Sequence, residues 1–349
     1  MKDLNVARFP RVSIIVPNLN GMQLLEKCIS SLLRTDYPNF EIIVVDNGST
    51  SENIESLLKK HSRVRVIRLE QNMGVAFAYN LGLSISSGEF VSFVNNDMEF
   101  DPAWLKYLVH ALQIDQNLAG CDSKYLNYFK RNIIDTSGGA GRFIDKYGNA
   151  VVRGGGKYDR GQFNRREEVF YGSSLFRKKL IQKVGGFDEK FFAYYDETDL
   201  CWRLHRAGYR IMYVPESRIY HMGSATTTSS NPDGKRRYKK IFVFHYYKNR
   251  LRMLIKNQFG IMLCIAISLY LFDLVGQVLV SLVTGRADEV PLMINAVIWN
   301  LFYLKDTLLY RWRFKNESVD FHKLFLPYSG VWVAIFRKIG SYIGKIFKK

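Results

Sequence analysis

Apolar runs of strand length alternate with stretches of helical periodicity through the first 250 residues. VSIIVPN turns polar at Asn18 and leads into MQLLEKCISSLL, where Leu24, Leu25, Cys28, Ile29 and Leu32 fall at helical spacing. FEIIVVD predicts a second buried strand, ending at Asp46 in a Ser/Thr-rich cap before the helical ENIESLLKKH. VRVIRL predicts a third strand, GVAFAYNLGLSIS a third helix, and EFVSFVNND a fourth strand ahead of a helix in PAWLKYLVHAL. Strictly alternating strands and helices imply right-handed crossovers. The expected fold is therefore α/β, a Rossmann-like, mostly parallel sheet with flanking helices. In open parallel sheets, ligands bind beyond the carboxyl ends of the strands. Three strands end at Asn18, Asp46 and Asp97, so these side chains are expected along one edge.

Residues 119–176 break the alternation. SGGAGRFIDKYGNAVVRGGGKYDRGQ is rich in Gly and charge and predicts a long loop with at most short hairpins, either mobile or functional. EVFYGSSLFRKKLIQKVGGFDE then suggests a strand, a short helix and a turn at Gly185 and Gly186. DETDLCWRLHRAGYRIMYVP predicts a helix with an acidic first turn, stopped at Gly208, and a further strand. Taken alone, Asp196, Glu197 and Asp199 fit helix capping and dipole pairing. The aromatic run KFFAYY that delivers them turns attention to chemistry.

The last hundred residues differ in character. FGIMLCIAISLYLFDLVGQVLVSLV, residues 259–283, is long enough to span a bilayer. Asp273, Gln277 and Ser281 nevertheless recur every four residues, and that polar stripe would be costly against lipid. The segment is expected either to pack on another helix, with LMINAVIWNLFYL the candidate, or to lie in the interface. At the end, VWVAIFRKIGSYIGKIFKK brings Ile335, Ile339, Ile343 and Ile346 near one face, with basic residues from Arg337 on, as in an interfacial helix on an anionic leaflet. Basic residues on both flanks favour a cytosolic hairpin or monotopic arrangement over one clean crossing. The chain is thus expected to divide into a catalytic region, 1–257, and C-terminal membrane-associated helices, 258–349.

Charge sharpens this picture. The net charge of +18 calls for an anionic partner. Nine Lys or Arg fall between Lys235 and Lys256, and no Asp or Glu lies between Gly234 and Asp273. A basic block directly before an apolar segment points to an anionic membrane surface rather than nucleic acid. Cys28, Cys121, Cys201 and Cys264 have no metal-ligand or CxxC spacing and predict reduced thiols in the cytosol. MKDLNVARFPRV has no apolar core of a secretory signal.

Six blocks in order, SIIVPNLNG, EIIVVDNGSTS, QNMGVAFAYNLGL, FVNNDMEFDPAWL, YGSSLFRKKLIQKVGGFDEKFFAYYDETDLCWRLHRAGYRIMYVPESRIYHMGSAT and FHYYKNRLRMLIKN, together resemble glycosyltransferase family 2, most of all its rhamnosyltransferase-like members. The resemblance covers roughly residues 11 to 257. It implies a GT-A fold, a nucleotide-diphosphate sugar donor (UDP- or dTDP-linked), a divalent metal (Mg2+ or Mn2+), and inversion at the anomeric carbon. It implies a lipid-linked or glycan acceptor on the cytoplasmic face of the membrane.

Residue by residue, the resemblance assigns the nucleotide sugar to Pro17, Asn18, Asn20, Asp46, Asn72, Gly74, Asn80, Asn95 and Asn96. Asp46 would accept a hydrogen bond from a pyrimidine base, although DNGST also reads as an Asx turn. Gly74 would let the backbone approach the ligand, or simply start a helix. Asp97 matches the last acid of the family's DxD, and Asn95 stands where the first acid usually does. Hard cations take oxygen ligands, and Mg2+ commonly uses one or two carboxylates plus substrate phosphates. His221 matches the distal metal ligand, with Glu99 and Asp101 as competitors for the ion, and an imidazole ligand leans towards Mn2+. Glu197 aligns with the base that deprotonates the acceptor hydroxyl, with Asp196 in reserve because the usual order of the two acids is reversed. Gly172, Ser173 and Ser174 resemble the acceptor-side loop. Asn95 and the reversed acid pair also motivate an alternative, a non-catalytic membrane or interaction protein that keeps the fold. A nucleotidyltransferase is disfavoured because VPNLNG lacks a Gly-rich, basic phosphate loop.

Overall fold

A computed structural model describes residues 9–50, 54, 61, 63–145, 148–223, 228–230, 236–238, 240–313 and 325–326. The helix expected at 52–61, apart from residues 54 and 61, and the basic segment 331–349 lie outside the described residues. Strands β1 (Val12–Asn18), β2 (Phe40–Asp46) and β3 (Val64–Arg68) pair in parallel, and β4 (Phe90–Phe93) joins β1 on its other side. Helices α1 (Met22–Leu32), α2 (Val75–Ile85) and α3 (Trp104–Ile114) follow in the predicted order. The main sheet runs β3-β2-β1-β4-β10-β6-β11-β5, with β9 added on β11.

Apolar side chains alternate across the sheet because successive residues of a strand face opposite sides. Ile15, Ile43 and Val45 enter one core, and Ile14, Val16, Ile42 and Val44 enter the other. Both faces are covered, which is why these strands read as unbroken apolar runs.

Residues 119–176, which break the alternation, contribute further strands on either side of the loop expected at 137–162, and that loop holds one short hairpin. β6 (Leu118–Asn127) is a ten-residue strand in the middle of the sheet, parallel to β11 (Arg210–His221). β10 (Leu175–Arg177) runs antiparallel between β4 and β6, and β9 (Glu167–Val169) antiparallel to β11. β7 (Arg142–Asp145) and β8 (Ala150–Val152) form a hairpin, and β5 (Met98–Phe100) closes the main sheet against β11. The polar DSK of β6 hides the strand from a hydrophobicity pattern. Asp122, Ser123 and Lys124 are fully buried, yet each has a partner, respectively Arg142, Ser217 and Asp159. Buried polar groups are tolerated when they are hydrogen-bonded.

Helices α4 (Lys178–Lys183) and α5 (Asp196–Arg206) follow, the second preceded by Tyr195 in a left-handed conformation. Then come α6 (Lys240–Asn257), α7 (Gly260–Val283), α8 (Val290–Phe302) and α9 (Leu304–Arg313). The basic block expected to face a membrane does something else over its second half. Lys248, Arg250, Arg252 and Lys256 of α6 are at most 2% exposed. Arg252 and Lys256 meet Asp188 at 2.9 and 2.8 Å, Lys256 meets Asp199 at 2.9 Å, Arg252 meets Asp306 at 2.8 Å, and Arg250 pairs with Asp273. The charges are internal because acids far away in sequence meet them there. The polar stripe of α7 turns inward as well: Asp273 and Ser281 are buried, and the helix packs on α6 and α8. The expected boundary at 257/258 is therefore crossed by a buried ion pair.

Candidate active site

β1 and β2 bring Asn18 and Asp46 side by side, as register partners at the carboxyl ends of neighbouring strands. Asp46 is fully buried. Ser49 donates to its Oδ1, and Arg68 Nε stands 3.5 Å from its Oδ2. Asn96, just beyond β4, donates to Asn18 Oδ1 at 2.7 Å. Asn20, in a left-handed conformation, accepts from Thr50 N at 3.0 Å, and its own amide donates to Ser49 Oγ at 2.9 Å. Pro17 precedes Asn18 on β1. One continuous set of hydrogen bonds thus joins the ends of β1, β2 and β4.

The next residue, Asp97, meets the end of β11. His221 pairs in register with Met98, and its Nε2 lies 3.4 Å from Asp97 Oδ2. Its Nδ1 lies 3.1 Å from Asp135 Oδ1, and that oxygen also accepts from the amides of Ser137 and Gly138 at 2.8 Å each. Burial opposes a charge on His221, but the hydrogen bonds to Asp135 and Asp97 push its pKa up to about 10. Asp97 Oδ1 is buried and accepts no hydrogen bond among the described residues. A buried carboxylate oxygen without a donor, beside an imidazole oriented through its other nitrogen by a carboxylate, fits a divalent cation, which would take the place of the proton on His221 Nε2. Among the described residues no three acidic, His or Cys side chains enclose an ion by themselves, so phosphate oxygens would have to complete its shell. The competitors are otherwise engaged. Glu99 pairs with Arg131 at 2.8 Å, and Asp101 accepts from Ala103 N at the entrance to α3.

Glu197 comes from the first turn of α5. Arg142 Nη1 donates to its Oε2 at 3.1 Å. The same guanidinium grips the buried Asp122 with Nε and Nη2, each at 3.0 Å, and reaches Ser173 Oγ at 3.0 Å. Ser173 N and Ser174 Oγ also donate to Asp122, and a Cβ on Gly172 would come within 2.6 Å of that carboxylate's own Cβ. Burial raises the Glu197 pKa while Arg142 pulls against it. Asp196 has no such cation. Burial and then the adjacent Glu197 push it up to about 8, with no guanidinium pulling it down. Asp199 is structural, fully buried between Arg203 and Lys256 at 2.9 Å each.

Tyr79 links the two acidic groups. Its hydroxyl donates to Asn95 Oδ1 at 3.1 Å, and burial, Glu197, Asp196 and Asp97 together hold its pKa well above the usual range. Asp97 and both acids of α5 thus act electrostatically on one side chain. The aromatic run before Glu197 has left-handed backbone at Phe192, Tyr194 and Tyr195. Asn249 of α6 donates to the carbonyls of Phe191, Ala193 and Tyr194 at 2.7, 2.6 and 2.9 Å.

Three of the residues expected at the nucleotide also hold the protein together. The Asn80 amide bonds Phe187 N and O and the Glu189 carboxylate at 2.9 Å each, which ties α2 to the segment before α5. Gly74 is left-handed at the start of α2, and a Cβ there would strike Phe192 at 2.6 Å. The close approach it permits is to the aromatic run. Asn72 Oδ1 accepts from Asn47 Nδ2 and Gly74 N at 3.0 Å each, shaping the loop between β3 and α2. Asp122, Asp135, Arg142 and Asn249 were not singled out from the sequence. The available signal was charge inside the strand-length stretch between Gly120 and Tyr125.

The model of glycosyl transferase family 2 matches residues 13–185, and that of glycosyl transferase family group 2 matches residues 169–314. Uncharacterized protein y4gI of Sinorhizobium fredii is 30% identical over 248 residues, which is 66% of this chain and 26% of that protein. O-antigen biosynthesis protein RfbC of Myxococcus xanthus is 29% identical over 228 residues, 62% of this chain and 18% of that protein. The chain thus spans about a quarter or less of these two relatives. Among solved structures, the crystal structure of GalNAc-T7 with UDP, GalNAc and Mn2+ superposes with a TM-score of 0.56 at 15% identity, over 72% of this chain and 48% of that one. The likeness is one of fold, a mixed α/β sheet of the GT-A kind.

Proposed function

This chain belongs to glycosyl transferase family 2, and from that premise we propose that it is a membrane-associated, inverting, metal-dependent glycosyltransferase. It moves a rhamnose-like sugar or another hexose from a UDP- or dTDP-sugar to a hydroxyl of a lipid-linked or polysaccharide acceptor, at the cytoplasmic face. The observation that carries this reading is Glu197 in the first turn of α5, held by an Arg142 guanidinium that also grips the buried Asp122.

Glu197 takes the proton from the acceptor hydroxyl as its oxygen attacks the anomeric carbon. The bond from that carbon to the diphosphate oxygen breaks on the opposite face, so a single displacement inverts the centre. Arg142 favours the ionised carboxylate and fixes its direction through Asp122 and Ser173. Asp97 and His221 would hold a divalent cation, Mg2+ or Mn2+, which supplies charge compensation for the departing diphosphate. Asn18, Asn96 and Asp46 line the edge that takes the nucleoside, and the order of Gly172, Ser173 and Ser174 against Asp122 fits the acceptor side.

Thermal unfolding of the detergent-solubilised protein with Mn2+ and a panel of UDP-, dTDP- and GDP-sugars tests the proposal, because a ligand that binds the native state raises its apparent stability. A UDP- or dTDP-sugar is expected to raise Tm, and no shift with any donor would count against transfer. A second reading, a non-catalytic protein of the same fold, draws on Asn95, whose Oδ1 is already taken by Tyr79. Glu197→Gln with an unchanged cellular glycan would favour it.

A further inference from the structure

Resting on the membrane-associated reading above, we infer that helix α7 does not cross the bilayer. It lies in the plane of an anionic leaflet's interface and, with α8 and α9, forms a monotopic platform under the catalytic region. By length and composition alone the 24 residues of α7 could span.

What surrounds the helix decides otherwise. Its inner stripe, Ala266, Tyr270, Asp273, Leu274 and Ser281, is buried over about 22 Å of helix length. Tyr270 donates to the carbonyl of Tyr247 at 3.1 Å, and Asp273, near the middle of the helix, pairs with Arg250. Arg250 sits one residue after Asn249, which holds the aromatic run before Glu197, and six before Lys256, which is paired with Asp188 and Asp199. If α7 crossed, its centre would carry this ion pair and the flank of the catalytic region to the bilayer midplane. One charged side chain there costs about 2.5–3.5 kcal/mol or more. The return helices do not favour a crossing either. α8 and α9 are parted only by Tyr303, but α9 carries Lys305, Asp306, Arg311 and Arg313 within ten residues.

The outer face has the opposite character. Ile261, Val275, Leu279, Leu301 and Phe302 are 68, 57, 57, 66 and 82% exposed, and most of the large exposed apolar side chains among the described residues lie between Phe259 and Trp312. A continuous apolar face of this extent calls for a cover. Charge selects lipid as that cover. Five Lys or Arg lie between Lys235 and Lys240 and five more between Arg337 and Lys349, on either side of the platform in sequence. These flanks attract anionic headgroups.

Cys264 is exposed on α7, while Cys28, Cys121 and Cys201 are buried, so a depth-sensitive fluorophore can be placed on the native chain at one position. In Cys264→Ser, Val275→Cys and Val283→Cys give two further labels on exposed positions. The full chain is bound to phosphatidylcholine–phosphatidylglycerol vesicles carrying nitroxide quenchers at shallow or deep acyl carbons. All three labels are expected at one shallow depth, about 5–10 Å below the headgroups. A spanning helix would separate positions 264 and 283 by about 28 Å, with position 275 deepest. That result would overturn the inference and leave membrane association standing. No quenching at any position would overturn both, and a dimer mass by light scattering would identify a second copy as the cover. The readout needs no donor, so failure of the transferase reading leaves the depths unchanged.

Discussion

Replacing Arg142 tests the chemistry most directly, because one guanidinium serves two carboxylates. Arg142→Met leaves Asp122, fully buried, without its cation, and removes the 3.1 Å contact to Glu197 Oε2. Removing one partner of a buried ion pair costs about 3–5 kcal/mol, so this variant loses stability first. Asp122→Asn added to it removes the stranded charge and restores much of that loss. The base is affected separately. A hydrogen bond to a charged group contributes about 1.5–3 kcal/mol, and each pKa unit corresponds to about 1.4 kcal/mol. Arg142 favours the carboxylate, so without it burial is opposed only by Ser173 and the Glu197 pKa rises. Since the base works ionised, the acid limb of kcat/KM must move to higher pH in Arg142→Met, and by less in Arg142→Met/Asp122→Asn, which also removes the neighbouring carboxylate that raises Glu197. Arg142→Lys, which keeps the charge but not the fork, should move it less. The assay is release of nucleoside diphosphate against pH. A double variant that folds stably and keeps the parent acid limb would refute the role assigned to Arg142.

The two acids of α5 should separate. Glu197→Gln is expected to lower kcat about 10²–10⁴-fold with the donor-induced thermal shift intact, whereas Asp196→Asn retains turnover. Asp196 is protonated in the fold up to about pH 8, so its contribution to stability is present below the ordinary Asp range and declines as pH rises through 8. Asp196→Asn should therefore gain Tm over the parent above pH 8 and not at acid pH, and equal Tm values at both would refute the assignment. Asp97→Ala should abolish the Mn2+-dependent increment of UDP stabilisation while leaving the metal-free shift; an undiminished increment would remove Asp97 from the metal site. Asn249→Ala should lower Tm by a few degrees, from about 1–3 kcal/mol of lost hydrogen bonding, and reduce kcat more than donor affinity. A variant with parental kcat would mean that the aromatic run holds its shape unaided.

What could be read from the sequence follows from where each strand sits. β1, β2 and β4 are buried on both faces mainly by apolar side chains, with Ser13, Glu41 and Ser92 as the polar exceptions within them, so their sequences announce them, and their ends mark the ligand edge. β6 is equally buried, but through Asp122, Ser123 and Lys124, whose partners lie 20 to 94 residues away. No local pattern encodes such a partner. The basic stretch of α6 misleads for the same reason. A run of Lys and Arg without nearby acids suggests an external anion, while the compensating acids, Asp188, Asp199, Asp273 and Asp306, arrive only with the tertiary fold. Gly74 was legible as a special backbone position but not as to what approaches it, since its neighbour Phe192 is more than a hundred residues on.

The placement of α6 joins the two ends of the argument. Left-handed backbone at Phe192, Tyr194 and Tyr195 costs of order 1–3 kcal/mol per residue and persists only where the surroundings over-determine it. Asn249 supplies that constraint from one side of α6, and Arg250, the next residue, fastens another side to the centre of α7. Successive residues of a helix point about 100° apart, so one turn of α6 serves both contacts at once. A change that shifts α6 must therefore disturb the aromatic run before Glu197 and the seat of α7 together, and the strain before the base and the packing of α7 are two consequences of a single packed helix.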